Sequence, residues 1–504
     1  KMTAFRVPVI GPFSGRISAV NALDSTSGYV GVGIVGLMIV GKTSGGTNKD
    51  QRYVNCFGKK ISDPFTGKTI LKCVKRPGFG TQSTPATGKK GYSVLVWTGQ
   101  GSGDKVISAF DTPNSTIYDG TTSLGAITGV SNGITETFVG ATATLVVSGT
   151  DSTAWYYDTV VGVMTKITDV DFPGNASRTT VGTFAHLDGF ACIMDNTGRL
   201  YASDLNSVTA WTANNYDTAS AYPDKGIGCI RHKNFIMAFG SESIQFFYNA
   251  GLTPFPLAIA TNMTVKVGAV SADAIGQISD TIFWVGSTPQ GGISMFQYDG
   301  NLNRVSSPEI DAIMLLAGAS NISLTTIRFH GLSFVLVKAS EVTYAYCVEE
   351  KAWHQWSSTT PLWYKCAGVS VGGTMVNYAV SNVSTSGKVY LMNQASLVFT
   401  DDTVAYTARI QLSPMDLGTN RKKYWEDIEV IGDTETSASA ITLSYTDDDY
   451  QNFTTVSPDG DLSADRVRWT RLGSSRKRGW VLTHSAATPM RIEALEGNAT
   501  IGSS

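Results

Sequence analysis

Charge is scarce in this sequence: Asp, Glu, Lys and Arg make up 16% of its 504 residues, against about 25% in ordinary domains. Long apolar runs are missing as well. The longest, Tyr29 to Gly41 (YVGVGIVGLMIVG), has 13 residues and four glycines, whereas a helix that crosses a bilayer needs about 20. One or two buried strands account for it better than a mobile or membrane-active segment, and its layout does not suit a signal peptide. The six cysteines (Cys56, Cys73, Cys192, Cys229, Cys347, Cys366) show no C-x-x-C or other metal-ligand spacing, which excludes the common zinc frameworks. Most lie in or beside apolar stretches, as free thiols do. Folding in a reducing compartment fits, with a Cys56–Cys73 bridge the one pairing left open.

Catalytic signatures are absent too. The five histidines (His186, His232, His330, His354, His484) form no H-E-x-x-H, and no G-x-S-x-G elbow occurs. Residues 36–43 (GLMIVGKT) match the phosphate-loop pattern on paper. Their loop positions are Leu, Met, Ile and Val, and the following Ser-Gly-Gly-Thr-Asn starts no helix to cradle a phosphate; the match reads as accidental. Carboxylates such as Asp188, Asp195, Asp204 and Glu242 occupy turn positions, and nothing pairs two of them as glycoside hydrolysis requires. No catalytic residue, cofactor or metal is expected.

What the chain does have is a repeat. Short apolar strands start at Ser93, Ala143, Gly189, Asn234, Thr281, Leu332 and Thr374, at spacings of 50, 46, 45, 47, 51 and 42 residues. Most are followed by a turn and a second, aromatic strand (AWYYD at 154–158, SIQFFYN at 243–249, VTYAYCV at 342–348). One β-meander per forty to fifty residues is the period of a propeller blade, which buries its faces only by stacking on its neighbours. The expected fold is all-β: a propeller of six or seven blades, a separate small β-sandwich or barrel, and an irregular basic N-terminal segment. One helix is expected, Ser307 to Gly318, with Ser307 as cap and Pro308 at its first position.

Charge divides the chain in the same places. Residues 1–92 carry a net +11, residues 93–400 a net −8 and residues 401–504 a net −5. These spans are read as a basic arm or platform, the propeller and a C-terminal β domain. Strands are expected in the last at Val404–Leu412, Lys423–Ile431, Ala440–Tyr445, Val467–Leu472, Gly479–His484 and Met490–Ala494. Its segment Ser444–Phe453 (SYTDDDYQNF) reads as an aspartate-rich turn whose carboxylates bind their own backbone; calcium at Asp447, Asp448 and Asp449 is the alternative. The basic first span points to an acidic partner, nucleic acid or protein, or to an arm balancing the acidic remainder of its own chain.

Several motifs, in order, carry a resemblance: QRYVNCF at 51–57, VKRPGF at 74–79, NFIMAFGSESIQFFYNAG at 234–251, VKVGAV at 265–270, IFWVGS at 282–287, RVRWTRLGSS at 466–475 and TPMRIEAL at 488–495. Together they resemble the packaged-DNA stabilisation proteins of short-tailed bacteriophages, also called tail hub or nozzle proteins. The resemblance covers most of residues 50–496, and the first fifty residues depart from it. It implies a homo-hexameric ring below the portal adaptor of the virion, assembled in the host cytoplasm, that continues the DNA channel, retains the genome and opens for ejection. It also implies tail fibres or tailspikes and a needle or plug as partners, double-stranded DNA passing without sequence readout, and host-membrane contact confined to infection.

Within that resemblance Arg52, Lys59, Lys60, Lys72, Lys75 and Arg76 are candidates to meet an acidic adaptor or the DNA backbone, and residues 1–50 to dock on the adaptor. Arg466, Arg468, Arg471, Arg476, Lys477 and Arg478 are candidates for intersubunit ion pairs with the acidic propeller surface. Trp353, Trp356, Trp363, Trp425, Trp469 and Trp480 are expected as core or interface anchors. Two other classes stay open, a propeller enzyme acting on glycans (sialidase- or lyase-like) and a receptor-binding tail protein.

Overall fold

The computed structural model describes residues 2–8, 29–31, 52–62, 69–99, 103–139, 142–219, 221–222, 224–287, 291–340, 342–356, 363–448 and 450–502. The phosphate-loop match at 36–43, most of the N-terminal arm and Asp449 lie outside them. The chain forms two compact units: Gly80–Glu341 with Pro361–Ser396, and Lys1–Phe79 with Val342–Thr360 and Leu397–Ser504. Of the spans read from charge, 1–92 and 93–400 each divide between the two units, and 401–504 lies wholly in the latter.

The first unit is a propeller. Five four-stranded antiparallel sheets follow one another along the chain, their first strands being Gly91–Trp97, Ser131–Val139, Thr180–Leu187, Gly226–His232 and Ile275–Ile278. Next comes the hairpin Ile322–Phe329 and Leu332–Ala339. The last sheet, Trp363–Val371, Thr374–Ser381 and Val389–Asn393, takes its fourth strand from Gly80–Ser83, with Thr81 opposite Tyr390. Residues from both ends of the unit thus close one blade, and seven first strands surround a single cavity. The second strands are buried on both faces, so they read as unbroken apolar runs instead of alternating; Phe190–Asp195 (FACIMD) is buried at every position. Each fully buried aliphatic or aromatic side chain contributes about 1.5–3 kcal/mol, and blade-to-blade clusters such as Leu187, Met194, Ile236 and Phe247 supply many of them. The expected helix forms at Pro308–Ala317, with the Ser307 Oγ accepting from the Ile310 amide at 3.5 Å and Gly318 ending it at φ +78°.

Among its described residues the second unit has the short pair Thr400–Asp401 with Val404–Ala405 and two large sheets. One places Arg491–Ile501 beside Lys423–Gly432, with Met2–Pro8 on the far side of Arg491–Ile501. In the other, Arg52–Val54 lies between Ala352–Trp356 (parallel) and Ala408–Gln411 (antiparallel), which continues to Gly479–His484 and Ala440–Thr446. Side chains of the two sheets meet edge to face at Trp425 and Trp480, ring centroids 5.5 Å apart. The expected C-terminal strands are present within a residue or two at most ends. Val404–Leu412 is interrupted into Val404–Ala405 and Ala408–Gln411, and Met490–Ala494 is the start of an 11-residue strand.

Candidate functional site

The propeller axis is the first place to look. Its cavity of about 240 Å³ is lined by the seven first strands and the short turn at Ala272–Ala274. At roughly 30 Å³ per water it holds a handful of waters. Gly182 (φ +70°) packs so close to the neighbouring strand that a Cβ there would sit 3.0 Å from the Gly228 Cα. The charged lining consists of Lys365 and Asp273, which pair with each other at 3.0 Å, while the Lys365 Nζ also donates to the Asp273 and Leu324 carbonyls. Among the described residues lining it, Asp273 is the one carboxylate.

The motif QRYVNCF…VKRPGF folds into the second unit's interior. Cys56–Ser62 and Thr69–Lys75 pair antiparallel, which places Arg76 under the Asn55 turn. Asn55 adopts φ +56°, a left-handed conformation that Asn tolerates; its Oδ1 accepts from Arg76 Nε at 2.8 Å and its Nδ2 donates to the Thr407 carbonyl at 2.8 Å. The fully buried Arg76 guanidinium forms a two-point pair with Asp401, at 3.2 and 2.5 Å, and stacks 4.0 Å over the Tyr406 ring. Tyr406 donates its hydroxyl to the Arg76 carbonyl. Lys75 is equally buried: its Nζ donates to the Ala486 carbonyl at 2.6 Å and lies 3.4 Å from His484 Nδ1. Burial, with Arg76 beside it, lowers the Lys75 ammonium to about 8. These two residues correct the sequence expectation, since neither offers a polar atom to an outside partner. Alternating sequence position does not separate a cation at the surface from one clamped by a distant Asp.

The remaining candidates of that set divide. Lys60 is half exposed and pairs with Glu350 at 2.7 Å. Lys72 pairs with Asp433. Lys59 is half-buried and its ammonium is lowered by burial, then by Arg491; Arg52 is half-buried on its strand.

The C-terminal cluster divides likewise. Arg478 is 1% exposed, gripped by Asp447 in two contacts of 2.7 Å and stacked 3.8 Å over Tyr445, with Trp480 and Trp425 beyond. Arg466 pairs with Glu429 and Arg468 with Asp427, both at 2.5 Å across adjacent strands. For Arg466, Arg468 and Arg478 acidic partners are therefore found within the same chain. Arg471, Arg476 and Lys477 are exposed. Arg476 and Lys477 gather with Arg421 and Lys422, also exposed, because Arg476 donates to the Asn420 carbonyl at 2.8 Å and Met415 bridges Arg478; Arg471 lies farther along, its amide on the Glu426 carbonyl. Asp416 is the exposed carboxylate within this stretch. Sequence reasoning passed over Arg421 and Lys422, although the run RKK at 421–423 was the signal; its third residue, Lys423, is buried with its Nζ on the Thr419 and Arg476 carbonyls. This end of the sheet is the strongest concentration of solvent-facing cations among the candidates, and it fits an acidic protein surface or a phosphate backbone.

The aspartate-rich turn binds itself. Asp448 accepts from the Asn452 amide at 3.0 Å and from Thr446 Oγ1 at 2.8 Å, which hold its carboxyl down at about 2. Asp447 is taken by Arg478. Among the described residues no three His, Cys, Asp or Glu side chains are grouped to hold a metal. Cys56 and Cys73 are both free and buried. Trp353, Trp356, Trp363, Trp425, Trp469 and Trp480 are all buried.

Among solved structures, Chaetomium thermophilum Raptor aligns with a TM-score of 0.39 and 10% identity over 62% of this chain and 28% of that one. BamB from Moraxella catarrhalis aligns at 0.34 and 11% identity over 60% and 82%. No curated protein sequence matches. The family model described as bacteriophage P22 Gp10, beta-propeller, matches residues 114–376, more than half of the chain and most of the blades. The chain is a member of this family, the β-propeller proteins of phage tails that stabilise packaged DNA.

Proposed function

We propose that the chain is the nozzle, or tail hub, of a short-tailed phage. Six copies form a ring below the portal adaptor, continue the DNA channel, retain the packaged genome until ejection and carry fibres or tailspikes, with a needle or plug among the partners. Family membership over residues 114–376 is the observation that carries this reading. The role is structural and not enzymatic.

In this reading the exposed end formed by Arg421, Lys422, Arg476 and Lys477 meets either an acidic face of the next subunit or a phosphate backbone. The two differ in salt response. Phosphate contact loses affinity with a slope of about −0.9 per neutralised phosphate in log K against log salt and is blind to sequence. Lys59 and Lys60 are the second contact candidates, and residues 1–50 dock on the adaptor. The test is negative-stain imaging of the purified chain, alone and mixed with capsid necks, with mass measured in parallel. A six-fold ring that joins the neck supports the reading; a monomer or trimer that ignores the neck overturns it.

A further inference from the structure

The propeller carries a second concave site, away from its axis. A groove of about 740 Å³ opens beside the fourth blade, within the range of small-ligand sites. Its wall exists because the outermost strand of that blade is irregular. Gln245 pairs with Thr264 and Phe247 with Ile259, so the four residues Ala260 to Met263 stand opposite Phe246 alone. A bulge of this kind on an edge strand re-aims side chains out of the ladder. Here it brings Thr261 and Asn262 to the surface, with Ile259 and Met263 half-buried beside them.

Opposite stands Tyr248, 41% exposed. The polar groups are fixed in advance. Asp188, at φ +50° in the hairpin turn of the third blade, accepts from Asn249 Nδ2 at 3.1 Å; the Asn249 Oδ1 in turn accepts from the Gly251 amide at 3.1 Å. One carboxylate and three amides (Asn234, Asn249, Asn262) share the groove with an aromatic face, and among the described residues no Lys or Arg lines it.

We infer that this groove binds a neutral saccharide. Carboxylate and amide groups take paired hydroxyls, the Tyr248 ring takes the C–H face of a pyranose, and the single negative charge disfavours acidic sugars. Site preorganisation by the Asp188–Asn249 link lowers the ordering cost of binding. The inference is independent of ring formation, and it concerns binding, not cleavage.

The test uses the full chain and three probes: dextran and galactomannan in affinity electrophoresis, which present hydroxyls only, and millimolar chitohexaose by saturation-transfer NMR, which adds N-acetyl groups. Retardation or transfer with at least one probe is expected, weakened about tenfold by Tyr248→Ala, as loss of an aromatic contact implies, and also by Asp188→Asn. Both side chains are exposed, and unchanged melting temperatures check that the variants are folded. Absence of binding to all three probes overturns the inference, as does equal binding by wild type and both variants. Binding of chitohexaose alone supports it and narrows the class to N-acetylated sugars.

Discussion

Replacing Arg76 separates two roles that the sequence alone left joined. As a partner contact, Arg76 would be dispensable for folding and needed for binding. The structure gives it the opposite role. Arg76→Ala leaves the Asp401 carboxylate buried, its remaining donor the Phe79 amide at 3.1 Å, and also strips the Asn55 Oδ1 and the Pro77 carbonyl of their guanidinium donors. Removing one partner of a buried pair costs about 3–5 kcal/mol, a large fraction of a typical domain's 5–15 kcal/mol. Arg76→Lys restores charge without the two-point geometry and falls in between. The double variant Arg76→Met/Asp401→Leu removes both charges and costs less than Arg76→Ala, because no orphan charge remains. The assay is calorimetry of the full chain, following the transition of the unit that contains residues 52–79 and 397–502, with urea unfolding of the same variants. If Arg76→Ala melts within about 1 kcal/mol of wild type, the buried-clamp argument is wrong and the contact role returns.

Three further outcomes follow from the same structure. Arg478→Ala removes a buried guanidinium that stacks on Tyr445 and donates to Asp447 and to the Leu472 carbonyl; with the charged hydrogen bonds lost it destabilises by about 2 kcal/mol or more, whereas Arg466→Ala, on an exposed pair, leaves the melting temperature within error in the same scan. Burial lowers His354 to about 3 and His484 to about 4, the latter helped by Lys75. Their folded values lie below the unfolded 6.5, so the stability they carry is complete above pH 6.5 and is lost as pH falls from there toward 4, at about 1.4 kcal/mol per unit for each group; His484→Gln flattens that slope in melting curves from pH 7 to 4. Thr81→Pro, in the strand that closes the last blade against Tyr390, loses a ladder bond and lowers the propeller transition by several degrees, while the same change at exposed Thr261 does so by less.

The blades were legible in the sequence because their period is long, regular and apolar, and because turn residues separate most of their strands. Ser93, Ala143 and Thr281 lie in strands at the expected places, and Asn234 is the turn residue just before one. Blade closure was not legible: Gly80–Ser83 carries no apolar pattern, and its partner lies some 300 residues away. The same holds for Arg52–Val54, three residues whose place between Ala352–Trp356 and Ala408–Gln411 is fixed by long-range pairing alone. Charge was read as surface wherever it was dense. That holds for Arg471, Arg476 and Lys477 but fails for Lys75, Arg76 and Arg478. In each failing case a carboxylate or a row of carbonyls far along the chain supplies the missing partner, and an aromatic ring covers the cation. Nearby tyrosine and tryptophan were the available signal: Trp480 stands two residues beyond Arg478, and Tyr445 two before its partner Asp447.

Retention of packaged DNA tests the central claim most directly. Particles assembled without this chain, with portal and adaptor in place, are treated with nuclease and their protected DNA is measured, with and without the purified protein added back. The account predicts that DNA is lost from particles lacking the chain and that wild-type protein restores nuclease-resistant genomes. Particles that keep their DNA equally well without the chain would contradict it.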